Sequence, residues 1–137
     1  YQLDMVQHLT SFDEYLEWQK NESIVIVQIE HIDAVNNLEE IFSVGGIDGY
    51  IIGPYDLSAS LGVPGKFEDP TFLSAMERIK KVANDMKIMG GIHIIEPEPE
   101  QLQQRINEGY QFIAYSLDIR MIDVACREGL NMIERGG

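Results

Sequence analysis

The chain has 137 residues, enough for one domain with a hydrophobic core, and its 45% hydrophobic and 24% charged residues are typical of a globular protein. Its net charge of -13, from 10 basic and 23 acidic side chains, repels phosphate backbones and argues against a nucleic-acid partner. No apolar run approaches the roughly 18 residues that a membrane span needs, and the single cysteine excludes a disulfide framework or a cysteine metal cluster, so a cytoplasmic location is expected.

The first predicted elements are a helix and a strand. The amino terminus has neither a basic start nor a hydrophobic segment, so no signal peptide is predicted, and because the chain opens on Tyr1 rather than Met we expect further sequence upstream. Ser11 with Glu14 forms the pattern of a capping box and predicts a helix through about Asn21. Residues 24–29 are a β-branched run with one polar break, which is typical of a strand buried in a parallel sheet.

The middle of the chain continues this alternation of helices and strands. Asp33 is expected to cap a second helix that ends at Gly45-Gly46, and residues 47–52 are predicted to form the second strand. Asp69-Pro70 is a capping residue followed by proline at the first helical position, so it predicts the start of a long helix. Residues 88–95 are then predicted to be the third strand.

The last part of the chain adds two further helices and a fourth strand. A short helix is predicted from Pro99 to a stop at Gly109, followed by a strand over 110–117 and a helix over about 120–133. Four strands that each precede a helix predict a parallel sheet with right-handed crossovers. The sheet is either a small doubly wound sheet or part of a (βα)8 barrel; because a complete barrel needs about 250 residues, this chain can supply only half of one.

Two carboxylates directly follow neighbouring predicted strands. Glu30 comes after the first strand, where an unpaired carboxylate is costly to desolvate, and Asp56 comes after the second. In either architecture ligands bind beyond the carboxyl ends of the strands, so the two carboxylates can meet at one ion. Without cysteine or a pair of ligand histidines, this donor set favours a hard cation such as Mg²⁺ or Mn²⁺.

Each of these residues also has a simpler interpretation. Asp56 is compatible with a helix or turn cap, and Glu30 with an ion pair to a lysine or arginine. Three other polar residues follow or lie near the ends of the third and fourth predicted strands. His93 fits a core hydrogen-bonding role as well as a pocket, and Ser116 and Asp118 fit caps of the last helix. No glycine-rich phosphate motif, HExxH or GxSxG occurs in the sequence.

Five segments together carry a resemblance to a known family. They are VQIEH (27–31), NLEEI (37–41), GIDGYIIGPYDLSASLGVPG (46–65), GGIHIIEP (90–97) and EGYQFIAYSLD (108–118). In order and strand context they resemble the HpcH/HpaI aldolases, metal-dependent class II enzymes that act on 2-keto-3-deoxy sugar acids and 4-hydroxy-2-oxo acids. The resemblance implies an α/β fold, a (βα)8 TIM barrel of which only about the last four βα units are present. Residues 1–137 are thus expected to be the carboxyl-terminal half of a single domain.

The resemblance also implies roles for particular residues. Glu30 and Asp56 correspond to the ligands of a divalent cation, Mg²⁺ foremost, with Mn²⁺ or Co²⁺ as alternatives. Gln28 and Tyr55 correspond to substrate contacts; Tyr55 is bulkier than the small residues common in the family, although its main-chain amide can serve. His93 is expected to line the aldehyde side of the pocket.

The implied reaction is a carbon–carbon cleavage that yields pyruvate and an aldehyde. The 2-oxo acid chelates the cation, which stabilises the enolate formed when the C3–C4 bond breaks. In the family, the catalytic base and an arginine come from the first half of the barrel, so neither His8 nor His31 is assigned a catalytic role and none is assigned in this chain. The expected partners are the missing amino-terminal half of the barrel and further copies of the chain, through the segment 121–133.

Two alternative functions remain open at this point. One is an enzyme of the citrate-lyase β-subunit or malyl-CoA lyase type, which shares the barrel and the carboxylate-held magnesium. The other is a non-catalytic half-barrel that binds a partner. Activity on acyl-CoA thioesters or on free 2-keto-3-deoxy acids separates the two enzymes, and a stable monomer without any metal effect would favour the binding module.

Overall fold

The computed structural model describes residues 11–133 as seven helices and four strands. The strands are β1 (Ile26–Ile29), β2 (Gly49–Ile52), β3 (Met89–Ile94) and β4 (Phe112–Tyr115). The helices are α1 (Phe12–Glu22), α2 (Ile32–Asn36), α3 (Leu38–Phe42), α4 (Pro54–Ser60), α5 (Pro70–Met86), α6 (Pro99–Asn107) and α7 (Asp118–Asn131). None of these helices combines the length and apolar character that crossing a membrane requires.

The four strands form one parallel sheet in the order of the chain, β1-β2-β3-β4. A doubly wound sheet reverses its strand order at a switch point, whereas a barrel adds each strand beside the one before it. Because the crossovers between parallel strands are right-handed, a consecutive order places the connecting helices on one side of the sheet. The arrangement is therefore that of a barrel segment, as one of the two predicted architectures requires.

The hydrophobic core lies between the sheet and the helices. Ile29, Ile52 and Ile92 are aligned across the first three strands and are at most 2% exposed. They pack with buried residues of the helices, among them Leu38 of α3 and Ile79 of α5. Side chains alternate along a strand, so the residues between these isoleucines lie on the other face.

That second face is open to solvent in the described part of the chain. Gln28 on β1 is exposed, Met89 at the start of β3 is 49% exposed and Phe112 at the start of β4 is 45% exposed. In a complete barrel this face lines the interior and is filled by side chains of all strands. The open face is what half of a barrel would present.

Two predicted helix starts are confirmed by their hydrogen bonds. The backbone N–H of Glu14 donates to Ser11 Oγ at 3.2 Å and that of Ser11 donates to Glu14 Oε2 at 3.1 Å, which completes the capping box of α1. Asp69 caps α5 by accepting from the backbone N–H of Thr71 at 2.8 Å, with Pro70 at the first helical position. Both starts depend on local sequence alone, so they could be predicted without tertiary contacts.

The segment after β1 differs from its prediction. Asp33 does not cap the helix there; the N-cap is His31, whose Nδ1 accepts from the backbone N–H of Asp33 at 3.2 Å. The expected single helix is two short ones, α2 and α3, because Asn37 between them leaves helical geometry at φ -115° and ψ 24°. The four strands are also each shorter than predicted: pairing begins one or two residues later in every strand, and in β3 and β4 it also ends one or two residues earlier.

Candidate metal and substrate site

Glu30 lies directly after β1, half-buried, with its carboxylate held by Gln28. Gln28 Nε2 donates to Glu30 Oε2 at 2.5 Å, and the two residues share one face of the strand because they are two positions apart. No lysine or arginine in residues 11–133 forms an ion pair with Glu30. The ion-pair interpretation of Glu30 is therefore wrong within the described chain, and the carboxylate keeps acceptor capacity for another ligand.

Gly53 brings the end of β2 against this Gln28–Glu30 pair. Its backbone N–H donates to Ile29 O at 3.2 Å. A Cβ atom on Gly53 would lie 3.0 Å from Gln28 Nε2 and 3.2 Å from Glu30 Oε2, closer than ordinary contacts. A Cβ here would require the Gln28 and Glu30 side chains to shift by a few tenths of an ångström, so glycine lets them keep their present positions.

Asp56 follows Gly53 by three residues, in the first turn of α4. Gly53 is the N-cap of that helix and Pro54 its first residue, so the cap position is not that of Asp56. Its exposed carboxylate accepts no hydrogen bond from any described residue. The cap interpretation of Asp56 is wrong, and its carboxylate is available at the same edge of the sheet as Glu30.

Tyr55 and His93, the other two predicted site residues, line a different cavity. The Tyr55 ring meets Phe67 edge-on, with centroids 4.9 Å apart, and Phe67 packs on Phe72 at 5.3 Å. A groove of about 390 Å³ runs between α5, α6 and β3, and it takes in Tyr55 and His93 but not Gln28, Glu30 or Asp56. Because the Tyr55 side chain is occupied by this aromatic contact, only its main-chain amide is well suited to a ligand at the two carboxylates.

His93 sits near the carboxyl end of β3, opposite Ala114 of β4. Its neighbours Ile92 and Ile94 are buried in the core, so His93 lies on the open face of the sheet. It is half-buried, and within residues 11–133 its imidazole makes no hydrogen bond. The core hydrogen-bonding interpretation is therefore wrong in this part of the chain.

Ser116 holds the ends of β3 and β4 together rather than capping α7. It is buried, its Oγ donates to Ile95 O at 2.8 Å and its backbone N–H donates to Ile94 O at 2.6 Å. Leu117 occupies the N-cap of α7 without a side-chain bond, and Asp118 Oδ1 accepts only from the neighbouring Ile119 N–H at 2.7 Å. Neither residue therefore caps the helix in the expected way.

Arg120 was missed by the sequence analysis. Its guanidinium donates to Glu96 at 2.7–3.2 Å through two nitrogens and to Asp123 at 2.5 Å. The hydrogen bonds to Glu96, opposed by partial desolvation, raise the pKa of Arg120 above its ordinary value. Only the spacing to Asp123, three residues along a helix, was visible in the sequence.

The donors present fit a hard cation with an incomplete protein shell. No three His, Cys, Asp or Glu side chains of the described residues cluster as a metal site, so this half offers two carboxylates at most. Mg²⁺ commonly binds through one or two carboxylates and completes its six positions with water and substrate oxygens. Glu30 and Asp56 suit that pattern because no basic side chain of residues 11–133 neutralises either of them.

Comparisons with known proteins agree on one family. The family model described as HpcH/HpaI aldolase/citrate lyase matches residues 2–123. A hydroxypyruvate/pyruvate aldolase of Sagittula stellata is 37% identical over 115 residues, which are 81% of this chain and 43% of that protein. A 2-keto-3-deoxy-L-rhamnonate aldolase of Escherichia coli O1:K1 is 36% identical over 120 residues, which are 86% of this chain and 44% of that protein.

A solved structure extends the likeness to three dimensions. The crystal structure of an HpcH/HpaI aldolase from Desulfitobacterium hafniense superposes with a TM-score of 0.81 at 25% identity. The match covers 94% of this chain and 49% of that one. The chain therefore spans about half the length of the proteins it matches, and its sheet corresponds to part of their fold.

Proposed function

Because the chain belongs to the HpcH/HpaI aldolase/citrate lyase family, we propose that it supplies the metal-binding half of a carbon–carbon lyase. The proposed substrate is a 2-keto-3-deoxy sugar acid or a 4-hydroxy-2-oxo acid, and the products are pyruvate and an aldehyde, as the names of the two aldolase relatives suggest. The observation that carries the proposal is the meeting of the Gln28–Glu30 pair with Gly53, three residues before the unpartnered Asp56. The Glu30 carboxylate, held by Gln28, and the exposed Asp56 carboxylate thereby follow the ends of two paired strands.

In this proposal Glu30 and Asp56 hold a divalent cation, Mg²⁺ first and Mn²⁺ or Co²⁺ as alternatives. When bound, the cation supplies Lewis-acid stabilisation of the negative charge that develops on the 2-oxo group. Gln28 orients the Glu30 carboxylate through its hydrogen bond, and Gly53 leaves room for that orientation. The main-chain amides of Tyr55 and Asp56, in the uncapped first turn of α4, face no helical acceptor and are the proposed donors to the substrate carboxylate.

In this proposal the base that the cleavage needs comes from outside this half of the barrel. The C3–C4 bond breaks, its electron pair passes to C3 as an enolate, and the C4 hydroxyl loses its proton as that carbon becomes the aldehyde. A proton delivered to C3 then completes pyruvate. His31 is occupied as the cap of α2, His8 lies outside the described residues, and His93 is assigned to the aldehyde side, so we place the proton-transfer group in the other half of a complete barrel.

The test uses a fusion protein that we call the hybrid barrel. It joins the amino-terminal half of the related Escherichia coli aldolase to the amino terminus of this chain. We expect it to release pyruvate from 2-keto-3-deoxy acids, to lose this activity with EDTA and to regain it with Mg²⁺. Asp56→Ala should lower turnover by about 10²–10³-fold, as removal of one transition-state electrostatic contact does. It should also lower Mn²⁺ affinity measured by electron paramagnetic resonance.

A control variant, Asp85→Ala, and the chain on its own complete the test. Asp85→Ala removes an exposed carboxylate on α5, away from the strand ends, and should change neither measurement. Unchanged turnover in Asp56→Ala would contradict the site, whereas a folded hybrid barrel that releases no pyruvate would contradict the function. The chain alone should be inactive in either case, because it lacks the proposed base.

The runner-up function, cleavage of acyl-CoA thioesters in the manner of a citrate-lyase β-subunit or malyl-CoA lyase, is favoured less because both relatives named above are aldolases. Activity of the hybrid barrel on malyl-CoA but not on free acids would favour it.

We further propose a cytoplasmic location, with the exposed Cys126 as a free thiol, and assembly into a homo-oligomer through α7. That helix exposes Ile119, Ile122 and Leu130, at 71%, 62% and 59%, a surface that a second copy would cover.

A further inference from the structure

Ser116 occupies a strained and buried position at the end of β4. Its φ is 62°, in the left-handed region that residues other than glycine seldom adopt, although it is only 9% exposed. Both of its polar groups donate to the end of β3, the N–H to Ile94 O and the Oγ–H to Ile95 O. Such positions persist only where the surroundings determine them and are common near functional sites.

A second connection, four residues further along the chain, joins the residue after Ile95 to the last helix. Arg120, in the first turn of α7, donates to both carboxylate oxygens of Glu96, which follows β3. Asp123 accepts from Arg120 Nη1 at 2.5 Å and from Arg127 Nε at 2.7 Å, so the guanidinium is fixed on its helix as well. The Arg120 and Glu96 side chains are 35% and 36% exposed, which shields the pair partly from water.

Together, Ser116, Arg120 and Glu96 fix the β3–α6 loop, which comprises residues 95–98, to the start of α7. We call these three residues the loop latch. The hydrogen bonds described for their side chains are made within the protein, to a main-chain carbonyl, to one another or to Asp123, so none is directed at a ligand. Their effect on a ligand must therefore pass through the position of the loop.

The loop lies next to the proposed metal site, on the barrel rim, by which we mean the edge formed by the carboxyl ends of the strands. Glu30 and Asp56 occupy the ends of β1 and β2, and neighbouring strands are about 4.8 Å apart, so the end of β3 is the next position along the sheet. His93 lies on the open face of β3, two residues before the loop. The carbons of a substrate beyond C3 would meet this part of the rim first within the described half.

We propose that the loop latch is a positioning device that sets which aldehydes the enzyme accepts. This inference rests on the proposed function and deepens it, since it assigns the pyruvate end of the substrate to β1 and β2 and the aldehyde end to β3 and β4. Arg120 and Ser116 are positioning residues. They act through the β3–α6 loop and His93.

The experiment separates the two ends of the substrate in the hybrid barrel. Exchange of the C3 protons of pyruvate with D₂O, followed by nuclear magnetic resonance, requires the cation and the base but no aldehyde. Aldol addition of pyruvate to a two-carbon and to a four-carbon aldehyde reports on the acceptor side. Arg120→Gln, Arg120→Lys, Ser116→Ala and the control Arg127→Gln are compared in both assays.

Arg120→Gln should raise KM for the aldehydes by about tenfold, unequally for the two lengths, as small displacements of positioning groups do. Its proton exchange should stay within about twofold of the parent, because the groups at β1 and β2 are untouched. Arg120→Lys should recover part of the loss, and Ser116→Ala should resemble Arg120→Gln. Arg127→Gln, which removes a guanidinium that is 72% exposed and that, among residues 11–133, is bound only to Asp123, should change neither assay.

Three results would overturn the proposal, each in a different way. Unchanged aldehyde KM values in both Arg120→Gln and Ser116→Ala would show that the latch does not act on the acceptor. An equal fall in exchange and addition would show that it only supports the fold. An absence of proton exchange in the parent hybrid barrel would contradict the proposed function itself, and the inference with it.

Discussion

At the scale of single residues, Gly53 offers the sharpest test of the proposed metal site. Gly53→Ala should weaken the affinity of the hybrid barrel for Mn²⁺ by about tenfold, in the range found for residues that support metal ligands. The added methyl group must displace Gln28 Nε2 or the Glu30 carboxylate, which it would approach to 3.0–3.2 Å. The backbone accepts alanine, because φ is -96°.

Gly45→Ala is the matched control for that change, since nothing lies within 4 Å of the Cβ it would add. Titration with Mn²⁺, followed by electron paramagnetic resonance, measures the affinity of both variants. If Gly53→Ala binds Mn²⁺ as the parent does, the Gln28–Glu30 pair is not part of the metal site.

The residue scale also marks how far sequence analysis reaches. Glu30 and Asp56 could be proposed because each follows an apolar strand, and because their surroundings resemble a family. The contact of Gly53 with the Gln28–Glu30 pair could not be proposed from the sequence, since it depends on the register that sets Gln28 beside Ile51. The left-handed backbone of Ser116 was equally hidden, because serine carries no sequence signal for it.

At the scale of elements, α4 shows how a distant contact decides local structure. The sequence analysis predicted no helix between the second strand and Asp69, yet residues 54–60 form one, with Pro54 at its first position. Ser58, fully buried, explains part of this: its Oγ donates to Tyr55 O at 2.7 Å and accepts from the Gly65 N–H at 2.9 Å. That second bond ties the helix to a loop seven residues later, which no short sequence window reveals.

Glu108 joins two helices through its carboxylate, and this junction predicts a pH dependence. It accepts from Arg105 of α6 at 2.9–3.0 Å and from Gln104 at 2.9 Å, and it lies 3.4 Å from Lys80 of α5. Burial raises the pKa of Glu108, but the hydrogen bonds from Arg105 and Gln104 and the two positive charges outweigh it, so that its pKa is lowered. A carboxylate of this kind stabilises the fold above its ordinary pKa of about 4.3, and the contribution is lost as pH falls through the lowered value.

We therefore expect Glu108→Gln to destabilise the hybrid barrel by up to about 1 kcal/mol near pH 6, a limit set by solvent screening of a partly exposed group. The difference should shrink as pH falls from about 4.3 through the lowered pKa, below which the carboxyl group is protonated in both the folded and the unfolded state. Urea unfolding at a series of pH values measures this, with the exposed Glu100→Gln of α6 as control. A difference that does not change with pH would show that the charge of Glu108 is unimportant.

At the scale of the whole molecule, the open edges of the sheet govern behaviour in solution. Within the described residues β1 and β4 each pair on one side only, so both present backbone groups to any other strand. We expect the chain expressed alone to form assemblies of mixed size. Expression together with the amino-terminal half of the Escherichia coli relative should give one discrete species, because that half covers both edges.

Size-exclusion chromatography with light scattering measures this difference. A chain that is alone a stable monomer, and whose melting temperature does not respond to Mg²⁺, would contradict the half-barrel interpretation. The same result would favour the binding-module alternative.

The fold class was accessible from the pattern of apolar and capping residues, but that pattern left two variants open, and only the family resemblance implied the barrel. Alternation of apolar strands and capped helices predicted a parallel sheet, and periodicity gives the same pattern for a doubly wound sheet and for a barrel. What separates them is the order of the strands, which is a property of pairing between distant residues. The consecutive order β1-β2-β3-β4 supplies it.

That order has a consequence for how the chain folds. Gln28 pairs with Ile51, 23 positions later, and Gly91 with Phe112, 21 positions later, whereas Ile51 pairs with Gly91 across 40 positions. Closing the middle loop costs more chain entropy, by about 0.6 kcal/mol for each doubling of length. The pairs β1–β2 and β3–β4 are thus favoured to form first, and pairing of β2 with β3 is favoured to come last. A newly made chain would then form two strand pairs, each a quarter of a barrel, before they join.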